Sequence, residues 1–231
     1  MELFIIIIPL VIAFVIWGAI QSHKKAQARV AAMQAWATER NLYFHSDKLR
    51  GFDAEYPGFD CFRRGQRRYA YNLITGQLEG FETTMFDYHY VTKSRDSKGR
   101  TRTRTHRFSG VLVDPGFPIR PIMVRREGMF DKMKAAFGWD DIDFESAEFS
   151  RSYYVSSPDK RWAYDVINGK VIEALLRVKG FSFESDGEYL LCLGQGRVFE
   201  LAEFEQAFQL VSGFLNAMPE HAKERASRPH A

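Results

Sequence analysis

The sequence predicts an α+β chain: an N-terminal transmembrane helix, an antiparallel β-meander, then a β-α-β-β-α layer. Three observations predict it. Residues 3–20 carry no charged side chain and are dominated by Ile, Leu, Val and Phe. Residues 42–126 lose helical periodicity and break into short runs that alternate apolar with polar, punctuated by glycine. From residue 149 onward, apolar residues return to three- and four-residue spacing between strand-like runs.

The first element is expected as an uncleaved anchor over 1–22. An 18-residue helix is about 27 Å long, close to the hydrocarbon thickness of a bilayer. A cleaved signal peptide needs a basic n-region, and Met1-Glu2 offers none. A buried core helix rarely carries so long an uncharged run at a terminus. Pro9 lies within the span, and Trp17 stands where an interfacial aromatic would. Lys24, Lys25 and Arg29 follow the run while only Glu2 precedes it. The positive-inside rule then predicts a single-pass protein of the bacterial inner (cell) membrane with its domain in the cytoplasm. Cys61 and Cys192 lack a CxxC spacing and read as two buried thiols; a disulfide would require the inverted topology.

Residues 23–41 continue as a juxtamembrane helix, with Val30, Met33, Trp36 and Ala37 on one face and Asn41 as its stop. Residues 42–140 form the antiparallel β subdomain, with strands over Arg68–Ile74, Thr83–Thr92, Arg102–Val113 and Ile119–Arg125. In Phe86-Asp87-Tyr88-His89-Tyr90 the aromatics point one way, and Asp87 and His89 the other. A short helix is expected over 127–138. Residues 141–218 form the α+β subdomain: a strand over Phe149–Val155, a helix over Asp159–Val178, a hairpin turning at Asp186-Gly187, and a helix over Leu201–Met218 stopped by Pro219. Residues 219–231 are polar and expected as a flexible tail.

Hydrophobic residues make up 45% of the 231 and aromatics 15%, which excludes a disordered chain and predicts an aromatic core. Net charge is only +3, so the protein is not a polycation. Its basic charge is local. Lys93, Arg95, Lys98, Arg100, Arg102, Arg104 and Arg107 crowd one predicted hairpin, opposed only by Asp96.

Phe144-Glu145-Ser146-Ala147-Glu148-Phe149-Ser150-Arg151, then Tyr154-Val155, Asp159, Ala163-Tyr164-Asp165-Val166-Ile167 and Glu173-Ala174-Leu175-Leu176, resembles a segment of uncharacterised bacterial membrane-anchored proteins with an FESxEFxRxYxV…AYDV pattern, a family of unknown function. Gly80 with Phe86 to Tyr90 resembles their DYxY strand, and Arg126-Glu127-Gly128 the start of their short helix. The resemblance covers about residues 26–218. It implies the architecture and carries no catalytic residue.

Candidate chemistry is sparse. The basic hairpin suits anionic lipid headgroups or an acidic protein, at roughly 1 kcal/mol per charge near a membrane surface. The alternative is a solvated tip that protects an edge strand. Nucleic acid is disfavoured, because outside the hairpin acids outnumber bases. Asp140, Asp141, Asp143 and Glu145 cluster without EF-hand spacing, and no histidine sits in a zinc pattern. Gly194-Gln195-Gly196 has Phe199 where a dinucleotide fingerprint needs its third glycine. Gly169-Lys170 lacks the rest of a Walker loop. No metal or cofactor is therefore expected. The leading expectation is a membrane-tethered binding or scaffolding module that meets the bilayer through residues 3–20. The competing one is an enzyme with a site near Asp87 and His89, which lie about 7 Å apart on one strand face.

Overall fold

Helix α1 (Glu2–Glu39) passes from the apolar run into its charged continuation without a break. The computed structural model describes residues 2–97, 99–126, 141–178, 180–194 and 196–228, with backbone alone for 2–10. Among the described residues no helix is long and apolar enough to cross a membrane. This corrects the transmembrane anchor, and with it the single-pass, inner-membrane placement. The described apolar stretch, 11–20, makes only about 15 Å of helix, roughly half a hydrocarbon core. The side chains of 3–10 lie outside the described residues. Val11, Phe14 and Trp17 are exposed.

The far end of α1 docks on the protein. Met33, Trp36 and Ala37 are buried on one helical face. The Trp36 indole donates to Glu205 Oε1 at 2.6 Å. Asn41 ends the helix at φ 55°, and Leu42 N donates back to Ala37 O at 2.8 Å, which is Schellman geometry.

Eight strands form one antiparallel sheet: β1 (Tyr43–His45), β2 (Gln66–Leu78), β3 (Phe81–Arg95), β4 (Thr101–Asp114), β5 (Ile122–Arg126), β6 (Tyr153–Ser156), β7 (Phe181–Ser185) and β8 (Leu190–Gly194). Their order is β1-β2-β3-β4-β8-β7-β5-β6. Three strands of the expected meander pair in order as β2, β3 and β4, with β1 added at their edge; the fourth, β5, does not pair with β4, and no separate layer follows. The β4 edge takes β8, through pairs such as Val111 with Cys192. β5 lies between β7 and β6, so strands from both expected subdomains share one sheet. Glu79-Gly80, both at positive φ, make the tight β2–β3 turn.

The helices depart from expectation in instructive ways. Residues 127–138 lie outside the description. Where a strand was expected over 149–155, helix α4 (Ala147–Ser152) leads into β6, capped by the Ser146 hydroxyl accepting from Phe149 N. The single helix expected over 159–178 is two, α5 (Lys160–Val166) and α6 (Gly169–Arg177). Asn168 breaks it. Its Oδ1 accepts from Lys170 N and Val171 N, while its Nδ2 donates to Ala217 O. Helix α7 (Leu201–Asn216) starts at a capping box of Glu200 and Glu203. The polar end carries α8 (Glu220–Ala226), whose Ala222 is buried.

The sheet has two unequal faces. One is covered by α1 and α4 to α7, with Phe204, Phe208, Val211 and Leu215 of α7 in its core. The other is covered only in part by two single-turn helices, α2 (Phe52–Glu55) and α3 (Asp60–Arg63). Their Phe52 and Phe62 pack on Phe86, Tyr88 and Phe108, and Tyr88 Oη donates to Phe62 O at 2.8 Å. Cys192 lies in the first core and Cys61 in the second, both as free thiols.

Between α1 and the sheet lies a saturated ionic network. Asp87 is fully buried. Arg29 of α1 grips it with two bonds, Nη1 to Oδ2 at 2.7 Å and Nη2 to Oδ1 at 2.9 Å. Asn72 Nδ2 donates to Oδ2 and Ser109 Oγ donates to Oδ1. Removing Arg29 leaves a buried carboxylate without its counter-charge. Arg29→Ala is expected to cost about 3–5 kcal/mol in denaturant unfolding, with Arg29→Lys recovering only part, because an ammonium cannot fork. A loss below about 1 kcal/mol, within the range of an exposed pair, would contradict a structural role.

Candidate functional site

Strand alternation decides which side chains reach the partly covered face. On β4, Arg104, His106 and Phe108 share that face. The same face takes Leu191 and Leu193 from β8. Register brings Ser182 opposite Leu193, Glu184 opposite Leu191 and Met123 opposite Glu184. Residues of the other parity on these strands, such as Ile122, Val124 and Phe183, enter the helix-covered core. α3 ends at Arg63, and among the described residues the sheet beyond it is left uncovered. There the exposed strand face and the end of α3 enclose a cleft of about 400 Å³.

The cleft has an apolar floor and cationic walls. Phe108, Leu191, Leu193 and Met123 supply the floor, while Arg64, Arg104 and Arg125 supply the charge. Arg125 is buried and holds its guanidinium over the Tyr154 ring at 4.5 Å. His106 stacks on Tyr90 at 4.5 Å, and its Nε2 hydrogen-bonds with Thr92 Oγ1 at 2.8 Å. Partial burial, with Arg104 beside it, lowers the His106 pKa below 6.5. The shift favours the neutral ring, and the fixed positive charge of the walls is guanidinium.

Glu184 is the odd member. It is 8% exposed, and its Oε1 makes no hydrogen bond among the described residues. Burial pushes its carboxyl up to about 7; Asp60 and Asp186 add to the rise and Arg64 opposes it. Glu184 also lines a smaller cavity, about 220 Å³, beside Gly58 and Pro121. Cys61, at the cleft wall, is buried and its thiol is pushed well up by that burial, so it is not a ready nucleophile.

The expected basic site is divided by this geometry. Arg104 faces the cleft, whereas Arg107 borders it at a strand position whose side chain belongs to the opposite face, near Tyr71. Lys93, Arg95 and Arg102 are exposed along the hairpin arms. Arg100 is tied to Asp96, donating through its backbone N–H at 2.9 Å and Nε at 3.2 Å. Lys98 lies outside the described residues, as does Asp140 of the acidic cluster. Asp141 is engaged with backbone, its Oδ1 accepting from Ile142 N and Val155 N. No group of three His, Cys, Asp or Glu is placed to hold a metal among the described residues.

Asp87 and His89 are not brought together as a pair. The Asp87 oxygens already accept four hydrogen bonds, which fills their capacity. His89 stacks on Tyr69 at 4.4 Å, with its Nδ1 3.2 Å from Arg67 O. Sequence reasoning missed Arg64, Arg125 and Glu184. The alternation in Phe181-Ser182-Phe183-Glu184 was the available signal. It places Glu184 opposite the helix-covered core without saying whether water or protein covers that second face.

No family model matches the chain, and no curated protein does. Among solved structures, the chain is similar to the crystal structure of the mycobacterial trehalose monomycolate transport factor A, TtfA. The TM-score is 0.55 at 9% identity, over 88% of this chain and 98% of that one. That likeness is one of fold.

The Glu184 carboxyl makes stability depend on pH. Between its ordinary value of 4.5 and about 7, the folded chain keeps a proton that the unfolded chain has lost. Stability is therefore lost as pH rises through that window, on the order of 3 kcal/mol in all. Glu184→Gln removes the titration. Its melting temperature is expected to gain on wild type between pH 5 and pH 8, and a constant difference across that range would contradict the assignment.

Proposed function

We propose that the chain is a binding module whose cleft takes an anionic amphiphile. The observation that carries this reading is the joining of an apolar floor to guanidinium walls in one 400 Å³ space. Each part selects half of such a ligand. An alkyl chain laid over Phe108, Leu191 and Leu193 gains about 0.8 kcal/mol per buried methylene. A phosphate or carboxylate head accepts charge-assisted hydrogen bonds from arginine, in the planar geometry that a guanidinium favours. The exposed cations of the hairpin arms extend the positive field past the cleft and draw anions toward it. This narrows the expected basic surface from a general contact with headgroups to a site with a defined interior. The fold is shared with a protein named as a trehalose monomycolate transport factor, an analogy of fold alone that is compatible with an amphiphilic ligand.

Calorimetric titration with water-soluble dihexanoyl lipids tests the proposal. Dihexanoyl phosphatidic acid is expected to bind, dihexanoyl phosphatidylcholine at least tenfold more weakly, and inorganic phosphate not measurably. Arg104 is exposed, so Arg104→Glu leaves the fold intact and is expected to weaken phosphatidic acid roughly tenfold, the worth of one charged hydrogen bond. Equal binding of the two lipids, or an Arg104→Glu variant that binds like wild type, would overturn the reading.

A further inference from the structure

The cleft contains one group that an anionic amphiphile alone does not use. Glu184 is more than nine-tenths buried, lies within the cleft lining, and leaves Oε1 without a hydrogen bond among the described residues. A buried acceptor of this kind is costly unless a donor reaches it. The positive field of Arg64 reaches it. An acceptor in the floor of an otherwise cationic cleft points to a ligand that brings its own donor.

The register sets the spacing. Glu184 pairs with Met123 across β7 and β5, and Arg125 follows Met123 by two residues on the same face. Two residues along a strand are about 7 Å. Ser182, two residues before Glu184 on the same face, also lines the cleft, its Oγ directed at Leu193 O at 3.5 Å. A head group whose anion and hydroxyl are separated by a few bonds spans that distance.

We propose that Glu184 selects the head group: the cleft prefers an anionic amphiphile whose head also carries hydroxyl donors, a polyol phosphate, with the hydroxyl donating to the Glu184 carboxyl while the anion sits at the arginines. The inference rests on the amphiphile reading above and specifies its ligand. A hydroxyl suits the site better than an ammonium would, since the surrounding arginines repel a cation. A carboxyl that burial holds near neutrality accepts from a hydroxyl in either protonation state, because its carbonyl oxygen remains an acceptor when the group is neutral.

The test uses two lipids of equal charge and equal chains. Dihexanoyl phosphatidylglycerol carries two hydroxyls on its head, and dihexanoyl phosphatidylmethanol carries none. Wild type, the full chain, is expected to bind phosphatidylglycerol about tenfold more tightly. Glu184→Met keeps the volume and removes the acceptor; its preference is expected to fall to about onefold, so that the two lipids bind alike. Equal wild-type affinity for the two lipids overturns the inference without any variant and leaves the amphiphile reading standing. A preference that persists in Glu184→Met assigns the discrimination elsewhere and also overturns it. Binding of neither lipid removes both readings together.

Discussion

The bond between Arg29 and Asp87 is the constraint on which the rest of the structure depends. It is the point where the long helix is fixed to the sheet by charge as well as by packing. Asp87 has no exposed surface, and the side chain of Arg29 retains 14%. Two desolvated charges tend to be neutral for stability as a pair and expensive when parted. The saturated contacts explain why the pair is tolerated. Asn72 binds from β2 and Ser109 from β4, so three adjacent strands and α1 meet at one carboxylate. Arg29 Nε also donates to Phe199 O at 2.7 Å, and Phe199 N donates to Ser109 Oγ. The segment after β8 is thereby locked to the same centre.

That lock sits beneath the cleft. Ser109 lies between Phe108, which faces the cleft, and Gly110, which pairs with Leu193. A Cβ on Gly110 would lie 2.7 Å from the Phe86 ring, so glycine is what lets β4 and β8 close under that ring. Phe199 leaves as little room at Gly194, where a Cβ would stand 2.2 Å from its ring. The floor strands are therefore fitted from both faces, against Phe86 on the cleft side and Phe199 on the helix-covered side. Among the described residues the open face has only α2 and α3 above it, and a binding site needs such a place, where apolar side chains are ordered without being covered.

Local chemistry made part of this legible in the sequence. The alternation around Tyr88 separates the aromatic side of β3 from the side that holds Asp87, and Asn41, Asp186-Gly187 and Pro219 mark real chain reversals or stops. Period two also joined Arg102 and Arg104 on one face. What stayed hidden was non-local. Pairing of β4 with β8 joins residues about 80 apart, and no pattern within either strand announces it. Asn168 interrupts an apolar 3–4 spacing that continues on both sides, so periodicity alone read one helix where capping makes two. Glu184 alternates with phenylalanines as a solvent-facing residue would. Its burial comes from residues 58–64 and from neighbouring strands. The anchor reading rested on residue type along 3–20, whereas among the described residues the apolar stretch is too short to cross a membrane.

Methyl NMR during titration with dihexanoyl phosphatidic acid tests the central claim most directly, because it reports where an amphiphile sits. The account predicts saturable shifts at Leu191, Leu193 and Met123, with Val171 and Leu175 in the helix-covered core unmoved. Shifts confined to the exposed apolar residues of α1, Val11 to Ile20, with the cleft methyls silent, would show unspecific adsorption and contradict it.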